Sequence, residues 1–138
     1  MACFLLKTEP GTYSYSDLER DGRTPWDGVR NHQAAIHLKA MQVGDEAFIY
    51  HSVSDKEVVG LAKVIGPARP DPTDPTGRFV CVDLAPVRRL ARPVSLAEFK
   101  AAGWDEFALV RQSRLSCMAV PDEVREWILK AEAQPATI

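Results

Sequence analysis

The chain is 138 residues long, 46% hydrophobic and 26% charged, with a formal net charge of −2 and a pI of about 5.9. That length and balance predict one globular domain spanning residues 1–138 with a true core. They exclude a protein that grips nucleic acid by bulk positive charge; any such binding must use a local patch, with weak and salt-sensitive non-specific affinity.

Residues 3–7 read as a first strand. Ser16-Asp17-Leu18-Glu19 has capping-box spacing and predicts a short helix that Gly22 ends. Trp26 to Asn31 is a loop rich in turn formers. A helix follows over about 32–41, with Ala34, Leu38 and Met41 on one face and Gly44 closing it. Three strand-like runs come next: Glu46 to His51, Val58 to Ile65 and Phe79 to Val87. Gly60 interrupts the second, which predicts a bulge or a close backbone approach. Between the last two, residues 66–77 hold four prolines and two glycines and predict a surface loop. Ser95-Leu96-Ala97-Glu98 is a second capping box, opening a short helix that stops near Gly103. Arg111 to Val120 reads as extended. Pro121-Asp122-Glu123 opens the last helix, whose buried stripe is Val124, Trp127, Ile128 and Ala131. The sum is an α+β domain of about five strands with short helices, a small barrel-like mixed sheet rather than a doubly wound one.

No apolar run is long enough to span a bilayer, and Met1-Ala2-Cys3-Phe4-Leu5-Leu6-Lys7 lacks the basic lead of a signal peptide. The expectation is a cytoplasmic protein, nuclear in a cell with a nucleus, monomeric and without a membrane partner. Cys3, Cys81 and Cys117 are odd in number and scattered, as free thiols in a reducing compartment are. The chain has no glycine-rich phosphate loop, nucleophile elbow, HExxH or CxxC. His32 and His37 are five apart and fall on different helix faces, so they read as solvated side chains. Neither a metal nor a cofactor is expected, and the enzyme reading is weakened.

Four polar segments remain. Lys7-Thr8-Glu9-Pro10 gathers an amine, a hydroxyl and a carboxylate at a strand end; they could contact a phosphate, a carbonyl or an exocyclic amine, or simply be solvated beside a turn. Trp26-Asp27-Gly28-Val29-Arg30-Asn31 offers a ring that could stack on a base and an amide that could read its edge. Equally, Trp26 could anchor its loop, and Asn31 should cap the following helix in either case. Tyr50-His51-Ser52 adds an aromatic and two polar groups at another strand end, where a lone His is more often structural than catalytic. Nothing supports a dyad of His51 with Cys3 or Cys117. Arg111 and Arg114 sit three apart in a stretch read as extended, which puts them on opposite faces. Arg88, Arg89 and Arg92 read as a solvated strand exit, and Trp104 and Trp127 as packing residues.

These segments together resemble the EVE domain family of the PUA-like superfamily. The matching strings run from residue 4 to residue 116 in the family's order: Phe4-Leu5-Leu6-Lys7-Thr8-Glu9-Pro10, Trp26-Asp27-Gly28-Val29-Arg30-Asn31-His32-Gln33-Ala34, Gly44-Asp45, Tyr50-His51-Ser52, Arg69-Pro70-Asp71-Pro72-Thr73, Arg92-Pro93-Val94-Ser95-Leu96 and Arg114-Leu115-Ser116. The resemblance implies a PUA-like mixed β-barrel of five or six strands with short peripheral helices. It also implies a pocket for a modified base in nucleic acid, above all a modified cytosine in DNA, in line with the related YTH domains that hold methylated adenine. Carried over residue by residue, that pocket draws on Lys7, Thr8, Glu9, Trp26, Asn31, Tyr50, His51, Ser52, Arg114, Leu115 and Ser116. Where relatives carry a Trp near the first strand this chain has Cys3 and Phe4, so Phe4 joins Trp26 as a candidate stacking ring. Arg30 and Arg111 are the candidate phosphate contacts. Two alternatives stay open: a hydrolase of modified nucleosides using Lys7, Thr8 and Glu9, as in the related ASCH domains, and a module binding a small molecule or a protein. Adjacent strand residues alternate faces, so those three cannot all converge without a bend.

Overall fold

A computed structural model describes residues 2–135. In chain order the elements are β1 (Cys3–Thr8), α1 (Tyr15–Asp21), β2 (Thr24–Trp26), α2 (His32–Ala40), β3 (Glu46–His51), β4 (Glu57–Val64), β5 (Arg69–Pro70), β6 (Val80–Ser95), α3 (Leu96–Ala101), α4 (Ala108–Arg111), β7 (Cys117–Ala119) and α5 (Asp122–Glu132). The sheet order is β2-β6-β4-β3-β1-β7, with β5 paired to the start of β6. Among the described residues only β1 and β3 run parallel, joined by the crossover that α1, β2 and α2 supply. Register shifts at Ile49/Tyr50, Val58/Gly60 and Leu61/Ala62 bend the β3-β4-β6 seam, since a bulge increases local twist. The 16-residue β6 carries that bend, and the sheet curls into a mixed half-barrel with short helices around it. The described residues form six strands along the sheet, within the five or six expected, and the two-residue β5 is a seventh.

Gly60 shows why the bend is tolerated. A Cβ there would lie 2.4 Å from Cε1 of Tyr15, so the glycine leaves room for a fully buried ring. The Tyr15 hydroxyl lies 2.7 Å from the Leu61 carbonyl and 2.9 Å from that of Arg88, both at the bulged seam. Bulge and close approach are thus both present. Around this point Leu18, Leu38, Phe48, Ile49, Leu84 and Phe99 form one continuous core with Leu5, Leu6, Met118 and Ile128.

Several boundaries depart from expectation. The first capping box is Ser14 with Asp17, not Ser16 with Glu19, because Tyr15 must enter the core and draws the helix start two residues earlier. Trp26 ends a short strand, held against Val82 of β6. Residues 111–120 are not extended throughout: Leu109 and Leu115 are both buried, and the chain reaches them by α4 and a turn before β7. Strand β6 runs on to Ser95, so Arg88, Arg89 and Arg92 lie within the strand rather than at its exit, with Arg88 and Arg89 exposed as expected. The three pair with Glu132 (2.7 Å), Glu19 (2.9 Å) and Glu98 (2.7 Å). The helices over 32–40 and 96–101 and the capping box at Ser95 stand close to where the sequence put them.

Candidate functional site

One end of the half-barrel holds a cleft of about 480 Å³, built from the end of β1, the turn after it, β2, the loop at 27–30 and Ser116. That is within the ~300–1,000 Å³ common for small-ligand sites. The turn after β1 is held by its own backbone: the Glu9 carbonyl accepts from the N–H groups of Thr12 and Tyr13, each at 2.9 Å. Thr8 donates its hydroxyl to the Tyr13 carbonyl at 2.6 Å. These bonds swing the Tyr13 ring toward Trp26, and the two meet edge to face at 6.3 Å and 82°. The result is an aromatic corner with Trp26 only partly buried, its backbone fixed by the β2–β6 ladder.

Lys7 forms the polar wall opposite. Its ammonium donates to the Ser113 carbonyl at 2.9 Å and lies 5.8 Å from the centre of the buried Tyr50 ring. Its backbone N–H donates to the Ser116 carbonyl at 2.9 Å. Burial pulls the Lys7 amine below its ordinary pKa. Among the described residues it has no carboxylate partner.

The rim is clamped from the proline-rich loop. Asp71, 2% exposed, accepts from the Gly28 N–H at 2.8 Å, from Arg30 at 3.0 Å, and from both the N–H and the hydroxyl of Thr73 at 2.7 and 2.6 Å. Burial alone would raise its carboxyl pKa; the bonds from Thr73, Gly28 and Arg30 outweigh that and hold it well below the ordinary range. Arg30 also donates to Thr73 and lies over the Phe79 ring at 5.3 Å. Asp74 repeats the device: the hydroxyl of Thr76 and three backbone N–H groups bring its pKa to about 2 against the effect of burial. Apart from the two residues of β5, residues 66–77 are a surface loop with two buried carboxylates: Asp71 ties it to Gly28 and Arg30 of the cleft, and Asp74 folds the loop on itself.

The predicted site residues separate into three groups. Lys7, Thr8, Trp26, Arg30 and Ser116 line the cleft. Asn31, Arg111, Arg114 and Leu115 line a shallower neighbouring cavity, together with Gln33, Gln112 and Ser113. The arginines share that cavity, contrary to the opposite-face expectation, because Arg111 ends α4 and Arg114 sits in the following turn. Asn31 caps α2 as expected, accepting from the Ala34 N–H at 3.0 Å. The rest lie outside both linings. Phe4 is 4% exposed: β1 is flanked by β3 and β7 and covered on both faces, so this ring packs in the core and offers no face for stacking. Tyr50 lies beneath Lys7. His51 accepts the Tyr15 N–H at 3.0 Å, and burial lowers its pKa, consistent with a neutral structural imidazole. Glu9 is exposed and Ser52 half-buried. Burial pushes the Cys3 and Cys117 thiols up to about 12, which disfavours either as a thiolate nucleophile.

Sequence reasoning missed Tyr13 and Asp71. Tyr13 sits among turn residues with no periodicity to place it, and Asp71, although part of the Arg69–Thr73 string, carries no local signal of its burial. A second cleft of about 420 Å³ lies between α3 and α5. Its Arg92 and Glu98 satisfy each other, and Ala97, Ala101 and Ala102 supply much of the wall, as in an ordinary helix groove. Among the described residues no three His, Cys, Asp or Glu side chains gather for a metal ion, and no helix is long and apolar enough to cross a membrane.

Comparison with known proteins places this geometry. The EVE domain profile matches residues 2–131. Rpa0253 from Rhodopseudomonas palustris, solved by NMR, is 42% identical with a TM-score of 0.91, over 99% of this chain and 96% of that one. Human thymocyte nuclear protein 1 is 32% identical over 94% of this chain and 73% of its own length. The crystal structure of human THYN1 with DNA containing 5-methylcytosine superposes with a TM-score of 0.90, covering 99% of this chain and 100% of that one. A YTH domain from Zygosaccharomyces rouxii MRB1, solved with N6-methyladenosine RNA, shares the fold alone, at 15% identity and a TM-score of 0.62 over 99% of this chain and 87% of that one.

Proposed function

The chain belongs to the EVE domain family, and from that premise we propose that it is a non-catalytic reader of modified bases, with modified cytosine in DNA as its first ligand class. The observation that carries this reading is the open corner of Tyr13 and Trp26 facing Lys7. A base can stack there on a ring, while an ammonium without a carboxylate partner is available to an acceptor on the base edge. The human relative solved with 5-methylcytosine DNA supports the same ligand class. The base must leave its stack to enter, at a cost of a few kcal/mol, so binding to duplex is expected to be weaker than to single strands.

The hydrolase alternative draws less support from the geometry. Thr8 already donates its hydroxyl to a carbonyl, Lys7 donates to another, and Glu9 does not line the cleft.

The test is a titration of single-stranded and duplex oligonucleotides carrying unmodified, methylated, hydroxymethylated, formylated or carboxylated cytosine, or methylated adenine. A preference for one modified base, weakened by about 1–3 kcal/mol in Trp26→Ala, is the expected result. Equal binding across the panel, or a Trp26→Ala protein that binds as tightly, would refute the stacking pocket. Release of a product from a modified nucleoside, abolished in Lys7→Ala, would favour the hydrolase.

A further inference from the structure

Resting on the reading of the cleft as a base pocket, we propose that the shallow cavity beside it, centred on Arg111 and Arg114, seats a backbone phosphate of the strand that delivers the base. This cavity of about 310 Å³ has no carboxylate in its lining; Asn31, Gln33, Gln112, Ser113 and the two arginines line it together with Leu115. Arg114 is exposed, and its guanidinium has no hydrogen bond or ion pair among the described residues. That sets it apart from Arg30, Arg69, Arg88, Arg89, Arg92 and Arg125, each of which holds a carboxylate. Arg111 is paired only with Glu106, whose side chain is 86% exposed, so that pair lies in solvent and is easily exchanged.

The two linings adjoin along the chain, at Arg30 and Asn31 and at Leu115 and Ser116. The segment 113–116 holds Lys7 through the carbonyls of Ser113 and Ser116, and its Ser113, Arg114 and Leu115 line the shallow cavity. A strand whose base occupies the cleft therefore passes this turn. Arg30, the more obvious cation within the cleft lining, has its guanidinium committed to Asp71 and Thr73. The phosphate path accordingly runs on the α4–β7 side rather than along the proline-rich loop. A guanidinium fork matches two oxygens of a phosphodiester, and such contacts position a strand while base contacts specify it.

The experiment uses the whole chain with two probes: a twelve-nucleotide single strand with one central 5-methylcytosine, and the nucleoside 5-methyl-2′-deoxycytidine, which has no phosphate. Oligonucleotide affinity is measured over a series of salt concentrations for wild type, Arg114→Ala, Arg111→Ala, Arg114→Lys and Arg69→Ala. Arg114→Ala is expected to lower the slope of log K against log salt by about 1 and to leave nucleoside binding unchanged. Arg114→Lys should retain the slope, and Arg69→Ala should behave as wild type. An unchanged slope in Arg114→Ala, or an equal loss in Arg69→Ala, overturns the phosphate seat while leaving the base pocket standing. Failure of wild type to bind either probe overturns the base pocket, and the phosphate seat with it.

Discussion

The seam between β4 and β6 and the cleft at the end of β1 use the same residue types to opposite ends. At the seam the Tyr15 hydroxyl lies between two carbonyls, the His51 imidazole accepts the Tyr15 N–H, and Arg88 and Arg89 are each tied to a glutamate. At the cleft the Tyr13 and Trp26 rings stay partly open and, among the described residues, Lys7 has a carbonyl but no carboxylate, while Arg114 in the cavity beside it has neither. A tyrosine, a cation and a strand end do not by themselves mark a site. What marks it is the capacity left over after the fold has satisfied its own polar groups.

The comparison can be broken at its tight side first. Gly60→Ala places a methyl group against the Tyr15 ring, in a seam whose bulges leave little freedom to move. Overpacking of this kind should cost about 3 kcal/mol, read as a lower midpoint in urea unfolding, with ligand affinity of the folded fraction unchanged. A substitution that costs nothing would show that the seam is loosely packed and the contrast false.

Asp71→Asn tests whether the rim is braced from the loop. It removes a charge that Arg30 and the Gly28 N–H both use, and a loss of about 1–3 kcal/mol is expected. The native pKa lies below the ordinary value, so the ionised carboxylate stabilises the folded state. That contribution is complete above about pH 3.9 and is lost as the pH falls below it. Wild type and variant should therefore differ at neutral pH and converge in acid. A constant gap across the whole range would mean that Asp71 acts by shape rather than by charge.

The smallest effect belongs to a surface pair. Arg89 and Glu19 are each nearly half exposed, and Arg89→Ala should cost no more than about 1 kcal/mol in thermal unfolding. A larger loss would point to the stacking of Arg89 over Tyr15, at 5.3 Å, as the stronger contact.

Much of the fold was legible because its signals are local. The strands at 46–51 and 57–64, the helix capped by Asn31 and the box at Ser95–Glu98 follow from patterns a few residues long. The first helix was misplaced by two residues in its cap because Ser14 and Ser16 both open an acceptable box, and only burial of Tyr15 chooses between them. Arg111 and Arg114 were assigned to opposite faces because no local signal marks the four-residue α4, which turns the chain at that point.

The sequence by itself determined the α+β class, the likeness to the EVE family, and which segments carry polar and aromatic groups. Tertiary structure alone decided which of those groups remain free. Asp71 reaches Gly28 across 43 positions and Arg30 across 41, and Lys7 meets Ser113 across 106. It also withdrew Phe4 into the core and set Tyr13 against Trp26. Hydrogen-bond satisfaction and burial belong to pairs of residues far apart in the chain, so no short stretch of sequence contains them.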